Sequence, residues 1–442
     1  MDNKLINRQL LSSITNIFRY FSVLTLTGPR QSGKTTLCRK LFAELPYYNL
    51  EDSATLAMVQ HDPKAFLTKH SEGMIIDEAQ RFPEIFSYLQ VLVDEQNFAG
   101  GQRSKYIVTG SANFALMQQV SQSMAGRTAV LTLLPLASEE IDSVYPDTST
   151  DMRILRGGYP AIWQTDDEGR HLLLSNYYTT YVERDLRSMI NIKELSQFHT
   201  FIRLCAGRIG SECIASNLAT EVGVSVPTIQ SWISILEASY VIYRLQPYYA
   251  NIGKRLTKTP KLYFYDTGLA AWLMGIRSEE QLALHPLRGN LFENMVVNDV
   301  FKHFYNRGER ADLYFYRDQG KHEVDILQVT PEGNLHAFEI KSGKTYRTDY
   351  FDGLQYLQKT LKERLVSTCV LYDGDQEHVQ DFDAYCSYRS EGSCCWYSSY
   401  HRHPETFRRC HYRSYEGEYS FQNRICGCFR YGISHYFGYP GR

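Results

Sequence analysis

The sequence predicts an α/β protein that begins with a parallel sheet covered by helices and continues into further domains. Within residues 1–150, short apolar runs alternate with helical patterns, which is typical of a parallel sheet. The chain has 442 residues, too many for one ordinary core, so we expect two to four domains. An apolar fraction of 43% with 22% charged residues fits a globular protein rather than a disordered one.

The balance of charges argues against a general attraction to nucleic acid. Because 47 Lys and Arg residues face 49 Asp and Glu residues, any such binding would have to come from local basic patches. The first 18 residues lack the basic region and uninterrupted apolar core of a signal peptide. No apolar run reaches the roughly 18 residues of a membrane span. We therefore expect a cytoplasmic protein without a membrane partner.

The first predicted strand, residues 23–26, leads into GPRQSGKT, which matches the pattern G-x-x-x-x-G-K-[ST] at every fixed position. Glycines allow successive backbone N–H groups to surround phosphate oxygens, and the helix that follows adds positive potential. Lys34 is expected to reach the β- and γ-phosphates of ATP, and the Thr35 hydroxyl to bind Mg²⁺. The predicted nucleotide-binding residues are Gly28, Pro29, Arg30, Gln31, Ser32, Gly33, Lys34, Thr35 and Thr36.

A second strand, in GMIIDEAQ, ends in a pair of acids. We expect Asp77 to hold Mg²⁺ through water and Glu78 to polarise the attacking water as a general base. A kinase of small molecules needs no such glutamate, so the pair favours hydrolysis over phosphoryl transfer to a substrate. The alternative is an acidic pair that merely caps the strand.

Two further segments add candidates to this site. The strand YIVTGSA ends in small polar residues, so Thr109 or Ser111 is expected to sense the γ-phosphate and orient the water, with a plain turn as the alternative. Arg127 precedes the strand at 129–134. From there it would contact phosphate bound to a neighbouring subunit of a homo-oligomer, unless it is solvated or paired with an acid.

The middle of the chain predicts helices and then a helix-turn-helix. Residues 165–205 present apolar residues at spacings of three and four, as a helix does. A helix, a tight turn at Gly223, a second helix from about Val226 and a strand then predict a helix-turn-helix with a wing. The second helix contains no Lys or Arg, and only Gln230 and the serines could reach a base. The basic residues follow at the expected wing: Lys254, Arg255, Lys258 and Lys261.

Wing contacts to phosphate would give weak, salt-sensitive binding to DNA. Because a neutral recognition helix cannot specify a base sequence, a rigid spacer is the favoured interpretation.

Six segments carry a resemblance to a known family: GPRQSGKTT, IIDEAQRFPEIF, TGSAN, AGRTAVLTLLPL, GGYPAIW and YVERDL. They resemble, in this order, a large prokaryotic group of AAA-type ATP-binding proteins, and the likeness covers about residues 5–375. The C-terminal half of that group is a domain of unknown function related in sequence to restriction-endonuclease-like nucleases. The resemblance implies an ASCE-class P-loop core (1–145), a helical lid (146–205), a winged helix (206–285) and a nuclease-like α/β domain (286–383).

Nucleases of that fold hold their metal with an Asp on one strand and Glu-x-Lys on the next, helped by an acid on the preceding helix. The corresponding residues here are Glu293, Asp325, Glu339 and Lys341, and Gln355 resembles a supporting residue of some relatives. Asp325 and Glu339 would bind Mg²⁺, and Lys341 would add positive charge. The alternative is a set of ordinary strand-edge charges, and the fold does not by itself fix the activity.

The tail, residues 384–442, is rich in Tyr, Cys, Arg and His and poor in aliphatic residues. Without aliphatic periodicity it has no core to bury, so disorder is expected. Its cysteines lack the paired C-x-x-C spacing that favours zinc. The composition resembles a frameshifted reading of the end of the gene, and it departs from what the family shows after its last strand.

Together these observations predict an ATP-hydrolysing switch whose nucleotide state governs a nucleic-acid-directed C-terminal domain. The alternative is an ATP-gated scaffold whose inactive nuclease-like domain docks a protein or DNA partner.

Overall fold

The computed structural model describes residues 5–100, 104–110, 124–185, 195–249, 259–318, 320, 322–374, 379–380 and 383–387. The chain divides into two compact units. The first extends to Ala311 and the second begins at Asp312. Ser111, the tail from residue 388, and Lys254, Arg255 and Lys258 lie outside the described residues.

The first unit contains a five-stranded parallel sheet in the order β2–β3–β4–β1–β5. Its strands are β1 (Val23–Thr27), β2 (Tyr47–Asn49), β3 (Gly73–Asp77), β4 (Lys105–Thr109) and β5 (Thr128–Thr132). β4 pairs with both β1 and β3, so one strand separates the strand before the glycine-rich loop from the strand that ends at Asp77. The predicted α/β fold with a parallel sheet is confirmed.

Helices cover both faces of this sheet, which explains why its strands are continuously apolar. Met74 and Ile76 of β3 belong to one buried cluster, whereas Ile75 between them belongs to a second cluster on the other face. The helices around the sheet are α1 (Leu11–Ile17), α2 (Lys34–Leu41), α3 (Ser53–His61), α4 (Pro63–Thr68) and α5 (Ile85–Ala99).

Four further α-helices that the structure describes follow the sheet along the chain before residue 207. They are α6 (Ser138–Asp142), α7 (Thr150–Arg156), α8 (Asp167–Tyr177) and α9 (Leu195–Ala206). α8 continues into a π-helix over Tyr178–Asp185, so the expected helix at 165–205 is present on both sides of residues 186–194.

A helix-turn-helix comes next, as the sequence predicts. α10 (Ala215–Val222) ends at Gly223, whose φ of +77° is the left-handed conformation that glycine adopts readily. α11 (Val226–Ala238) begins where the Ser225 side chain accepts a hydrogen bond from the Thr228 N–H, and it has a proline in its first turn. β6 (Ile242–Pro247) and β7 (Lys261–Phe264) then form an antiparallel pair. The first unit ends with α12 (Thr267–Leu273), α13 (Glu279–Ala283) and α14 (Arg288–Asn306).

The second unit is a mixed sheet with one crossover helix. β8 (Leu313–Arg317), β9 (Glu323–Val329) and β10 (Leu335–Lys341) form an antiparallel meander. α15 (Asp352–Leu361) then connects β10 to β11 (Leu365–Tyr372), and β10 and β11 pair in parallel. β12 (Val379–Gln380) and β13 (Asp383–Ser387) follow, and β13 is parallel to β11.

Within the described ranges of the chain, no helix has both the length and the apolar character needed to cross a membrane.

Candidate nucleotide-binding site

The glycine-rich loop after β1 has a backbone that ordinary residues seldom adopt. Gly28 has φ +138°, and a Cβ there would lie 2.3 Å from the Leu133 carbonyl oxygen. Gly33, with φ +92°, directly precedes α2, while Gln31 holds φ +61° although it is not a glycine. Strained backbone of this kind is typical of a site whose geometry serves a ligand.

Lys34 lies in the first turn of α2 and bends back over the loop. Its Nζ donates to the carbonyl oxygens of Gly28 (3.0 Å) and Pro29 (2.7 Å). Burial lowers the pKa of this ammonium to about 8, and the nearby Glu78 and Asp77 oppose that shift only in part. A buried ammonium held by neutral carbonyls is poised to exchange them for phosphate oxygens.

Asp77, at the end of β3, is the most highly hydrogen-bonded acid of the site. Its Oδ2 accepts from the hydroxyls of Thr35 (2.7 Å) and Tyr47 (2.7 Å). Its Oδ1 accepts from the Thr109 hydroxyl and from the Glu78 backbone N–H (3.0 Å). A carboxylate has about four lone-pair positions, so these four donors fix its orientation.

Two oxygen-bearing side chains that suit Mg²⁺ as ligands therefore lie side by side at this site. The Thr35 hydroxyl and the Asp77 carboxylate are in direct contact, and both are hard ligands of the kind that Mg²⁺ prefers. Because donors already occupy the lone pairs of Asp77, its oxygens fit contact with metal-bound water better than direct ligation.

Glu78 follows Asp77 in a left-handed conformation, with φ +57°. The Gln80 side-chain amide donates to its Oε2. Burial is the largest effect on the pKa of Glu78 and raises it above its usual value. A carboxylate with a raised pKa is a stronger base, so this side chain fits a water-activating role. Gln80 was not predicted as a site residue, and the only indication in the sequence is its position two residues after Glu78 in DEAQ.

The structure separates the two lesser candidates. Thr109 lies at the site, through its bond to Asp77. Arg127 immediately precedes β5, whose first residue Thr128 pairs with the first residue of β1. Arg127 therefore lies at the N-terminal ends of these parallel strands, whereas the loop follows the C-terminal end of β1. There its guanidinium donates to both oxygens of Asp94, at 2.7 and 2.8 Å. A contact with a neighbouring subunit stays a prediction.

Arg8 supports the loop from the N-terminal segment, and no motif in the sequence indicates it. The buried guanidinium donates to the carbonyl oxygens of Ser32 (2.7 Å) and Leu134 (2.6 Å) and, through Nε, to Glu140 Oε1 (3.0 Å). Arg30 of the loop lies over the Tyr181 ring, with 5.3 Å between the guanidinium carbon and the ring centroid. These contacts connect the loop to three other segments of the first unit.

In the second unit, two predicted acids lie on neighbouring strands. Phe338 of β10 pairs with Ile326 of β9, so one further antiparallel step places Glu339 opposite Asp325 and on the same face. Asp325 Oδ2 accepts from the Ile340 N–H at 2.8 Å, and Glu339 Oε1 forms an ion pair with Lys341 at 2.5 Å. Across the part of the chain that the structure describes, no group of three or more His, Cys, Asp or Glu side chains is arranged to hold a metal.

Two residues are placed differently from the expectation. Glu293 lies on α14 in the first unit, where it accepts from Lys261 Nζ (3.1 Å) and the Tyr263 hydroxyl (2.5 Å). Lys261 was expected in the basic wing, but it begins β7 and is buried with this partner. That expectation is wrong for Lys261 because burial against a carboxylate removes its charge from the surface.

Family models match three segments of the chain. Residues 20–142 match an AAA domain, and residues 147–280 and 288–388 match domains of unknown function, DUF8612 and DUF4143. An uncharacterized protein of Mycobacterium bovis is 32% identical over 332 residues, which are 73% of this chain and 71% of that protein. The chain belongs to the family of AAA-domain proteins with a C-terminal DUF4143 domain. In this AAA-domain family member, the glycine-rich loop, Asp77 and Glu78 all fall within the AAA match.

More distant similarities extend over much of the AAA-domain protein. An uncharacterized protein of Haemophilus influenzae is 22% identical over 378 residues, covering 78% of this chain and 88% of that protein. Among solved structures, the Walker-type ATPase of Pyrococcus abyssi matches with 13% identity and a TM-score of 0.39, covering 62% of this chain and 97% of that one. The Aeropyrum pernix ORC1 protein, solved in complex with DNA, matches with 14% identity and a TM-score of 0.27, covering 63% and 94%.

Proposed function

We propose that this AAA-domain protein binds ATP with Mg²⁺ and hydrolyses it, and that its nucleotide state acts as a switch for the C-terminal domain. The observation that carries the proposal is the Asp77–Glu78 pair, in which one acid is fixed by four donors and the next is a buried acid with a raised pKa. That pair lies beside the Thr35 hydroxyl, at the start of the helix that follows the loop.

In this proposal, each step of hydrolysis is assigned to a residue of the site. Backbone N–H groups of residues 30–34 would surround the phosphates, and Lys34 would exchange two carbonyl partners for phosphate oxygens. Thr35 would bind Mg²⁺ and Asp77 would contact it through metal-bound water, and the ion would neutralise charge that develops on the phosphates. Glu78 accepts a proton from the attacking water, and Thr109 keeps the adjacent Asp77 carboxylate in place.

The first test compares two variants that separate binding from chemistry. Lys34→Ala should abolish nucleotide binding or nearly so. Glu78→Gln should bind ATP normally but release phosphate at least a hundredfold more slowly, at the low end of what general bases contribute, ~10²–10⁴-fold. Phosphate release and binding of a fluorescent ATP analogue measure the two effects.

Lys40→Ala on the same helix and Glu84→Gln are matched controls, because both side chains are exposed. Hydrolysis at the wild-type rate in Glu78→Gln would contradict the role of Glu78.

A second candidate function, favoured by the register that sets Asp325 opposite Glu339, is metal-dependent cleavage of nucleic acid by the second unit. Lys341, two residues after Glu339 on the same strand, would supply positive charge. The alternative is a scaffold in which these residues are inactive and the C-terminal domain docks a protein or DNA partner.

For the helix-turn-helix and its hairpin, a winged helix used as a spacer is the better-supported role. α11 directs Ile229, Trp232, Ile233 and Leu236 into the core and carries no Lys or Arg. With Lys261 buried, the hairpin has one basic residue fewer for DNA phosphates than the sequence indicates.

A further inference from the structure

Tyr47 contacts the magnesium-binding acid from a strand that carries no recognised motif. It lies on β2, where Tyr47 pairs with Ile75 and Asn49 pairs with Asp77 of β3. The phenol extends along the strand and donates to Asp77 Oδ2 at 2.7 Å. Arg39 of α2 lies over its ring, with 4.9 Å between the guanidinium carbon and the ring centroid, so the ring is held from the outer side as well.

The other three donors to Asp77 belong to segments that the proposed reaction uses directly. Thr35 is the proposed ligand of Mg²⁺, Glu78 is the proposed base and Thr109 ends the neighbouring strand. The Thr35 hydroxyl would serve two partners, because its oxygen would bind Mg²⁺ while its proton is donated to Oδ2. Among the contacts of the described residues, the Tyr47 hydroxyl donates to Oδ2 alone, so its phenol is a donor that serves only this carboxylate.

We propose that Tyr47 is a positioning residue for Mg²⁺, which holds the Asp77 carboxylate in the plane that faces Thr35. The inference rests on the proposed ATP and Mg²⁺ site and adds a fourth element, β2, to the residues that shape it. Asp77 without the phenol would keep one side-chain donor on Oδ2 and gain freedom to rotate about its Cβ–Cγ bond.

Tyr47→Phe tests this inference, because it removes one hydroxyl and leaves the ring under Arg39. The measurement is binding of a fluorescent ATP analogue by the full chain, first in EDTA and then across a titration of MgCl₂. The Mg²⁺ concentration at half-saturation should rise by about tenfold or more, since tenfold is near the lower bound for one hydrogen bond to a charged group. Nucleotide affinity in EDTA should not change, since the Tyr47 hydroxyl bonds to Asp77 and its ring lies under Arg39, and both of these residues are outside the loop.

Tyr48→Phe is the matched control on the same strand. The Tyr48 hydroxyl bonds to His70 Nε2 at 2.8 Å and its ring packs against Phe66, away from Asp77. This variant should show the wild-type Mg²⁺ titration, and thermal unfolding should give both variants similar midpoints.

The possible results separate the inference from the proposed function. An unchanged or tighter Mg²⁺ titration in Tyr47→Phe would contradict the positioning role, while ATP hydrolysis by the wild type would still stand. An equal loss of affinity with and without Mg²⁺ would also contradict it, because that pattern marks general damage to the fold. Wild-type protein that binds nucleotide without any response to Mg²⁺ would overturn the inference together with the metal-dependent mechanism.

Discussion

At the scale of single residues, two residues of the candidate site have unfavourable backbone conformations. Gln31 and Glu78 both hold left-handed backbone without being glycines, one in the phosphate-binding loop and the other beside Asp77. Each such conformation costs on the order of 1 kcal/mol or more, so the surrounding structure has to impose it. The strain therefore coincides with the residues proposed for nucleotide binding and water activation.

His303 on α14 provides a prediction about acid stability. Burial is the main cause that lowers its pKa to about 3, with Arg307 adding to the effect. The unfolded chain takes up this proton near the ordinary value of about 6.5, so stability falls as pH drops below 6.5 toward 3. The free energy of unfolding should therefore decrease between about pH 7.5 and pH 5, and in His303→Gln this decrease should be about 1–2 kcal/mol smaller than in the wild type.

Urea unfolding at the two pH values measures this difference. His171→Gln, at an exposed position of α8, is the control and should behave as wild type. Equal acid sensitivity in His303→Gln and wild type would show that this ring does not carry the effect.

Motifs predict residues only where a pattern of several letters fixes them. Lys34, Thr35, Asp77 and Glu78 belong to such patterns, and the structure brings all four together. Tyr47 is 30 residues from Asp77 in the sequence, and Arg8 is 24 residues from Ser32. No local spacing indicates that a tyrosine or an arginine at these positions reaches the site. The pairing of β2 with β3 decides the contact of Tyr47, and tertiary packing of the N-terminal segment decides that of Arg8; a single sequence displays neither.

At the scale of elements, the N-terminal segment before α1 supports the glycine-rich loop through Arg8. Arg8→Ala would leave the buried Glu140 without its cation and the Ser32 carbonyl without this donor. Breaking a buried ion pair costs about 3–5 kcal/mol, so this variant should unfold much more easily. Arg8→Lys keeps a positive charge but cannot span both carbonyl groups, so it should fold and yet bind the ATP analogue more weakly.

Thermal unfolding and nucleotide titration measure the two variants, with the exposed Arg19→Ala as control. If Arg8→Lys bound nucleotide as tightly as wild type, Arg8 would stabilise the fold without shaping the loop.

The elements themselves were largely predictable, because each is marked by its own periodicity. Continuous apolar runs identified the central strands, and Gly223 marked the turn between α10 and α11. Charged residues were harder to place. Arg127 was a candidate for a phosphate contact with pairing to an acid as the alternative, and Lys261 was expected in the basic wing. Asp94 and Glu293, which are distant in sequence, pair with them. Attraction to a distant carboxylate leaves no local pattern for sequence analysis to detect.

At the scale of the whole molecule, a switch requires a connection between the nucleotide site and the second unit. Lys302 Nζ donates to the Leu136 carbonyl at 2.7 Å, and the Ser138 N–H donates to Asp299 at 3.1 Å. Both contacts tie α14 to the segment that Arg8 holds at Leu134. α14 ends at Asn306, shortly before the second unit begins at Asp312, so it links the ATPase sheet to that unit along the chain.

The prediction that reaches furthest concerns the second unit, whose acids are set opposite each other by strand register. If this is a working nuclease, Mg²⁺ or Mn²⁺ should support cleavage of DNA or RNA, and Asp325→Asn and Glu339→Gln should each abolish it. Asparagine can still accept the Ile340 N–H, so loss of cleavage would report the missing charge rather than a damaged strand. Lys341→Met should retain metal binding but cleave more slowly, because it supplies charge rather than ligation.

Gel assays of cleavage, run without nucleotide and with ATP or ADP, measure these effects, and the exposed Glu363→Gln is the matched control. ATP turnover should survive every one of these changes, because Asp77 and Glu78 lie in the first unit. A protein that binds DNA equally with and without metal, and cuts no nucleic acid in any nucleotide state, would establish the scaffold instead. Asp325, Glu339 and Lys341 would then stabilise the β9–β10 pair without chemistry, as their bonds to Ile340 N–H and to each other already permit.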